Sequence, residues 1–442
     1  LRGVEKLLPL LRSHSESVQS LAAGALRNLV YQSDQNKMEV EAKGGLGAIL
    51  QALNSSRDVE TRRELTGLLW NLSSHDLLKE RLSAEAPSVL TRSVLVPTSG
   101  LSEGENPKDE LLADGVAFHH ATGCLWNLSS AGPGSRKAMR ECEDLIDSLV
   151  YYIRGTIADY KTDDKMLGLI GDLGFASALE STENCVCILH NLSYQLEEQL
   201  PRGSVRVLRE SRHSLAPRPS AVGCFARRSA KITERREECC PLLEEKSNPQ
   251  GPEWLWSTIT VRMYLSLLAR STRQGTQAAA LGALQNITAG NGALSRAIAF
   301  TVVQRENGLQ HVRKMLEEGG SDVRRTAVAL LRNASRYQEL HAAIVEQVLP
   351  ELVRMLPDCG ADLGATATVC LCDTLNSLSR SQRQHVRALL AAGALPGIVA
   401  LGRNGPGRAG QAARDLLRTM WSYSDLHGTY KKVSPEETAS VS

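Results

Sequence analysis

An all-α repeat solenoid is the fold this sequence predicts, on three observations. A short motif, small-x-x-Leu-x-Asn-Leu-Ser, recurs along the 442 residues, each copy lies on a helix-period apolar stripe, and aromatics make up only 4% of the chain. A chain this long exceeds what one hydrophobic core ordinarily serves. A repeat array removes that limit, because each unit buries its stripe against the next.

The anchor of the motif falls at Asn28, Asn71, Asn127, Asn191, Asn286 and Asn333, and in degenerate form at Ser377 and Thr419, in steps of 43, 56, 64, 95, 47, 44 and 42 residues. The basic unit is therefore about 42 to 47 residues, the armadillo/HEAT range. Apolar residues recur six, three and two places before each anchor and one after it. They are Leu65, Leu68, Leu69 and Leu72 around Asn71, Cys185, Ile188, Leu189 and Leu192 around Asn191, and Ala413, Leu416, Leu417 and Met420 around Thr419. That i, i+3, i+4, i+7 spacing is one stripe of an amphipathic helix. All eight units keep it, with Thr374 the one exception.

A second helix precedes the anchor helix, starting at Gly3, Gly45, Gly308 and Gly393. Between the two, Ser-x-Asp-Val-like turns at Ser56–Val59 and Ser321–Val323 supply side chains able to cap the helix that follows. Each unit is a helical hairpin with a short extra helix. The prediction for residues 1–442 is one all-α domain: an armadillo-repeat right-handed superhelical solenoid of about eight recognisable repeats, with an inserted disordered loop.

The long steps mark insertions. Residues 97–113 hold a turn-rich polar loop, and 166–181 a Gly-bearing apolar stretch that lengthens one repeat. Residues 201–250 carry Pro201, Pro217, Pro219, Pro241 and Pro249, lack a helical stripe, and read as a disordered basic insertion. Its cations include Arg202, Arg206, Arg209, Arg212, Arg227, Arg228, Lys231, Arg235 and Arg236. A solvated loop is the simpler reading, and an acidic partner, anionic lipid or RNA is the functional one. Phe225 is the one aromatic between Pro201 and Arg236, which does not make the stacking platform of single-strand binders. Residues 431–442 are expected to be a flexible tail.

Net charge is only +2, which does not suggest a dedicated nucleic-acid binder. No uncharged apolar run reaches the roughly 18 residues of a membrane span, so the segment is expected to be soluble. Leu1 opens inside a helical pattern, so the chain is expected to be a fragment of something longer. Ten cysteines without a CxxC pair suggest reduced thiols and no zinc site. The Asn-x-Ser/Thr matches belong to the repeat and are not read as glycosylation sites.

No catalytic constellation emerges. His119-His120 has no metal-ligand partner at suitable spacing, and Cys124 and Cys185 occupy core slots of the stripe. No cofactor, metal or small-molecule substrate is expected, and the chain is read as a non-enzyme. The better site is a peptide groove. Positions one and four before the anchor face away from the stripe, and the first of these rows reads Arg27, Trp70, Trp126, His190, Gln285, Arg332, Asn376 and Arg418. With the anchors Asn28, Asn71, Asn127, Asn191, Asn286 and Asn333, these residues suit an extended peptide: amides pair its backbone and indoles cover its side chains. The structural alternative is that the tryptophans pack between repeats and the asparagines tie one repeat to the next.

At these residues the sequence resembles the delta-catenin/plakophilin family. The resemblance is carried by Thr66-Gly-Leu-Leu-Trp-Asn-Leu-Ser-Ser, Ala121-Thr-Gly-Cys-Leu-Trp-Asn-Leu-Ser-Ser, Glu183-Asn-Cys-Val-Cys-Ile-Leu-His-Asn-Leu-Ser-Tyr, Ser247-Asn-Pro-Gln-Gly-Pro-Glu-Trp-Leu-Trp and Gly282-Ala-Leu-Gln-Asn-Ile-Thr-Ala-Gly. It implies nine repeats with a basic insertion between the fifth and sixth, the first repeat and the head region lying outside this chain. It also implies a desmosomal plaque scaffold at the cell junction, connecting cadherin cytoplasmic tails to desmoplakin, plakoglobin and intermediate filaments, with membrane association through the cadherins and a nuclear pool in some members. In related delta-catenins the cadherin peptide lies in the groove of the N-terminal repeats, at positions matching Trp70-Asn71 and Trp126-Asn127. Two alternatives are a nuclear or RNA-associated adaptor acting through the basic insertion, and an importin-like receptor of basic peptides. The second needs Trp four residues before the Asn, where this sequence has Gly24, Gly67, Gly123, Cys187 and Gly282.

Overall fold

The structure is a computed structural model that describes residues 3–101, 114–159, 172–200, 207–210, 240–243, 246–356, 363–428 and 430. The repeat motif lies on helices α1 (Glu16–Val30), α2 (Val59–Ser73), α3 (Gly115–Ser129), α4 (Asp172–Leu192), α5 (Gln274–Ile287), α6 (Ser321–Ala334), α7 (Gly364–Ser381) and α8 (Gly407–Trp421). Their stripes form the core. Leu65, Leu68, Leu69 and Leu72 of α2 and Cys185, Ile188, Leu189 and Leu192 of α4 are all fully buried. At roughly 2 kcal/mol for each buried aliphatic side chain, the stripe outweighs the modest helix propensity of the Asn, Ser and Thr beside it.

The second helix of the hairpin is Gly45–Ser55 ahead of α2, Leu309–Glu318 ahead of α6 and Ala394–Asn404 ahead of α8, with Gly3–Leu7 and a 3-10 turn Leu8–Arg12 ahead of α1. Short third helices such as Asp34–Ala42, Pro133–Glu141 and Arg383–Ala391 complete the armadillo unit. Asp58 caps α2 as its turn sequence predicts, accepting the Thr61 N–H at 2.8 Å. The other predicted cap differs: the N-cap of α6 is Gly320, without a side-chain bond, and Ser321 is already the first helical residue. The Gly319-Gly320 pair carries that turn, so no capping hydroxyl precedes the helix. Among the described residues, no single helix is long and apolar enough to cross a membrane.

Two compact units can be distinguished, Leu1–Tyr194 with Lys246–Ala283, and Gln195–Glu245 with Leu284–Ser442. In the first, α1 packs on α2, α2 on α3 and α3 on α4; in the second, α6 packs on α7 and α7 on α8. The first unit also contains a 3-10 helix, Gly251–Trp256, set against the helix Leu145–Asp159. There the carboxylate of Asp147 accepts the Gly251 N–H at 3.0 Å and the Trp254 indole N–H at 2.9 Å.

The insertions are more structured at their edges than the sequence predicts. Pro97 to Ser99 belong to a helix, Val96–Ser99, that continues Asp76–Leu90 through the π-turn Thr91–Leu95, while residues 102–113 lie outside the described residues. From Asp172 onward, the 166–181 insertion is helix and makes α4 a 21-residue element; residues 166–171 lie outside the description. Within 201–250, strands β1 (Val207–Glu210) and β2 (Cys240–Leu243) pair antiparallel, Val207 opposite Leu243 and Glu210 opposite Cys240. β2 runs beside the helix Ala293–Phe300 of the second unit. This ribbon of two four-residue strands is a short addition to an otherwise helical fold. Each strand supplies the backbone partners the other needs, without any helical stripe. Arg209 falls in β1, whereas Arg202, Arg206, Arg212, Arg227, Arg228, Lys231, Arg235, Arg236 and the 431–442 tail lie outside the described residues.

Candidate functional site

The anchor asparagines form the joints between neighbouring repeats. Asn71 donates its side-chain N–H to the Arg27 carbonyl at 3.1 Å, Asn127 to the Ser73 hydroxyl at 3.1 Å and Asn191 to the Ser129 hydroxyl at 2.8 Å. In the second unit Asn333 donates to the Gln285 carbonyl at 2.9 Å and lies 3.3 Å from the Thr288 hydroxyl. Each accepting hydroxyl belongs to the Ser or Thr two places after an anchor, and it donates in turn to the carbonyl of the residue before that anchor: Ser73 to Trp70, Ser129 to Trp126 and Thr288 to Gln285. The Asn-x-Ser/Thr string is thus a hydrogen-bond relay from repeat to repeat. Asn333 is only 4% exposed. The amide N–H of Asn71, Asn127, Asn191 and Asn333 is thus engaged between repeats, the structural role that the sequence offered beside peptide pairing. Asn28 is exposed and Asn286 half-buried.

The row before the anchors is also shaped by the neighbouring helix. Positions four before the anchor are glycine at Gly67, Gly123 and Gly282, and a side chain from the preceding repeat lies over each. A Cβ built on them would come within 2.6 Å of Arg27 Nε, 2.5 Å of Trp70 Cε2 and 2.6 Å of His190 Nε2, respectively. Trp70 is therefore half-buried, lying over Gly123 with its ring 5.2 Å from that of His119, edge-on, and 5.8 Å from that of His120. Trp126 is different: it is 39% exposed. The two indoles, equivalent in sequence, are not equivalent in structure.

Two cations of the row meet acids on the next helix. Arg27 pairs with Glu64 at 3.4 Å and Arg332 with Asp373 at 3.0 Å. One turn away, Arg63 pairs with Asp114 at 2.8 Å, a bond that raises the guanidinium's pKa. Arg27 and Arg332 are thus partly neutralised, where the sequence suggested open cationic contacts; the acids come from different repeats and carry no local signal. Burial lowers the pKa of His119 and His190. His120 is pushed down to about 4 by burial first and by the nearby Arg27 charge second. Its Nδ1 lies 3.1 Å from the Arg63 carbonyl, so that nitrogen carries the hydrogen.

Burial raises the thiols of Cys124 and Cys187 to about 12 and that of Cys185 further, which fits packing and not nucleophilic chemistry. Among the described residues no group of His, Cys, Asp and Glu converges on a metal-sized site. What remains is a surface on the first unit with Trp126 open, Trp70 and His190 half-buried, and ion-paired arginine at Arg27 and Arg63. Such a surface can cover an apolar side chain and pair polar groups beside it.

A sequence model described as Armadillo/beta-catenin-like repeat matches residues 1–31. Plakophilin-2 of Danio rerio is 52% identical over 395 residues, covering 87% of this chain and 46% of that protein. Plakophilin-2 of Mus musculus is 48% identical over 444 residues, covering 99% of this chain and 54% of that protein. The chain spans about half the length of the curated relatives it matches. Among solved structures, one described as "A conserved phosphorylation switch controls the interaction between cadherin and beta-catenin in vitro and in vivo" superposes with TM-score 0.55 at 16% identity, covering 95% of this chain and 69% of that one. At that identity the likeness concerns the fold alone.

Proposed function

The chain belongs to the plakophilin family of armadillo-repeat proteins, and on that premise we propose that it is a non-enzymatic protein-binding scaffold of the desmosomal plaque. It links the cytoplasmic tails of desmosomal cadherins to desmoplakin, plakoglobin and intermediate filaments, on the cytoplasmic face of the cell junction, with a nuclear pool as a second location. The observation that carries this reading is similarity to plakophilin-2 along 99% of the chain. Trp126, exposed beside a polar row of the first unit, supports a groove that takes an extended peptide.

A pull-down of the chain with acidic cadherin-tail peptides, against basic peptides and RNA, tests the proposal. Retention of the acidic peptides, and its loss in Trp126→Ala, is the expected result. Retention of RNA or basic peptides alone would overturn it in favour of the nuclear or importin-like alternatives.

A further inference from the structure

Trp70 and Trp126 occupy the same place in two successive repeats, yet Trp70 is half-buried and Trp126 is 39% exposed. Trp70 lies over Gly123, where a Cβ would come within 2.5 Å of the indole; Arg27 and His190 lie in the same way over Gly67 and Gly282. In α4, the helix that faces Trp126, the corresponding position is not glycine but Cys187, itself only 9% exposed. A thiol there fills the volume that the glycines leave empty. A close-packed interior does not admit both a side chain at that position and an indole seated on the same backbone.

We propose that Cys187 is a positioning residue of the peptide groove: it props Trp126 open, so that Trp126, and not Trp70, offers its indole face to an apolar side chain of an acidic extended peptide. The walls of the two sites differ as well. Trp70 is flanked by the His119 and His120 rings. The matching residues of α4 are Glu183, bound to Arg273 at 2.7 Å, and Asn184, whose amide donates to the Thr122 hydroxyl at 3.2 Å. Both are held by other partners, whereas the two histidines pack their rings against Trp70. The proposal rests on reading this surface as a peptide groove, and its test separates the two.

The test uses the full chain labelled with 5-fluorotryptophan, each fluorine resonance being assigned by single Trp→Phe replacement and its exposure read from the shift between H2O and D2O. In Cys187→Gly the Trp126 resonance should move to the protected behaviour of Trp70, while Cys187→Ala, which restores a Cβ, should bring it back. With the acidic cadherin-tail peptide as probe, Cys187→Gly should weaken binding about 5-fold or more and Cys187→Ala should recover most of the loss. Unchanged exposure of Trp126 in Cys187→Gly would overturn the proposal. Should that variant fail to fold, Gly123→Ala tests the same relation in reverse: Trp70 should become as exposed as Trp126, and a Trp70 that stays protected overturns it. If the wild-type chain does not bind the peptide at all, the groove reading fails, and the Trp126 resonance still decides the role of Cys187.

Discussion

The side-chain amide of Asn71 and the main-chain carbonyl of Arg27, 3.1 Å apart, join two repeats whose motifs lie 43 residues apart in sequence. Asn333 repeats this joint on the Gln285 carbonyl, and Asn127 and Asn191 make its counterpart on the Ser73 and Ser129 hydroxyls.

Removing the joint takes one of two donors from the Gln285 carbonyl and trims a side chain only 4% exposed, so Asn333→Ala should destabilise the second unit by about 1 kcal/mol. Asn28→Ala, at an exposed anchor, should stay within about 0.5 kcal/mol of the parent. Urea unfolding followed by circular dichroism compares the two; equal midpoints would show that the relay contributes nothing.

The two indoles should separate stability from binding. Trp70→Ala opens a void over Gly123 and should cost on the order of 3 kcal/mol. Trp126→Ala, at a residue 39% exposed, should cost under about 1 kcal/mol. The reverse ranking of melting temperatures would contradict the packing of Trp70.

His120 sets an acid limit. Its folded pKa of about 4 lies below its ordinary 6.5, so the unfolded chain takes up the proton first. The stability of the neutral ring is present above pH 6.5 and is lost as pH falls from about 6.5 to about 4, by at most about 3 kcal/mol. His120→Gln should flatten that part of the stability curve relative to the parent, measured by thermal melts across this range. An unchanged slope would remove His120 as its source.

Asp147 holds the segment that follows the basic insertion. With Asp147→Ala, the Gly251 and Trp254 N–H donors lose their buried acceptor, and the first unit should lose about 2 kcal/mol or more. Fluorescence of Trp254, only 1% exposed in the parent, should shift red as water reaches the ring. No shift would show that Gly251–Trp256 packs independently of that carboxylate.

The apolar stripe, the period and the helical hairpin were legible from sequence, because a periodicity of 3.6 and a motif step of about 42 to 47 residues are local properties of the chain. The burial of Leu65, Leu68, Leu69 and Leu72 follows directly from them. The ribbon of β1 with β2 was not legible: four-residue strands separated by a long insertion gain their partners only in space. The fate of each groove residue was likewise decided by the facing repeat. Trp70 and Trp126 sit in nearly identical motifs, yet the first lies over Gly123 of the next repeat's helix and is half-buried, while the second is 39% exposed. A sequence pattern names which side of a helix is buried; whether an exposed-side residue is covered depends on the volume its neighbour leaves, which only tertiary packing determines.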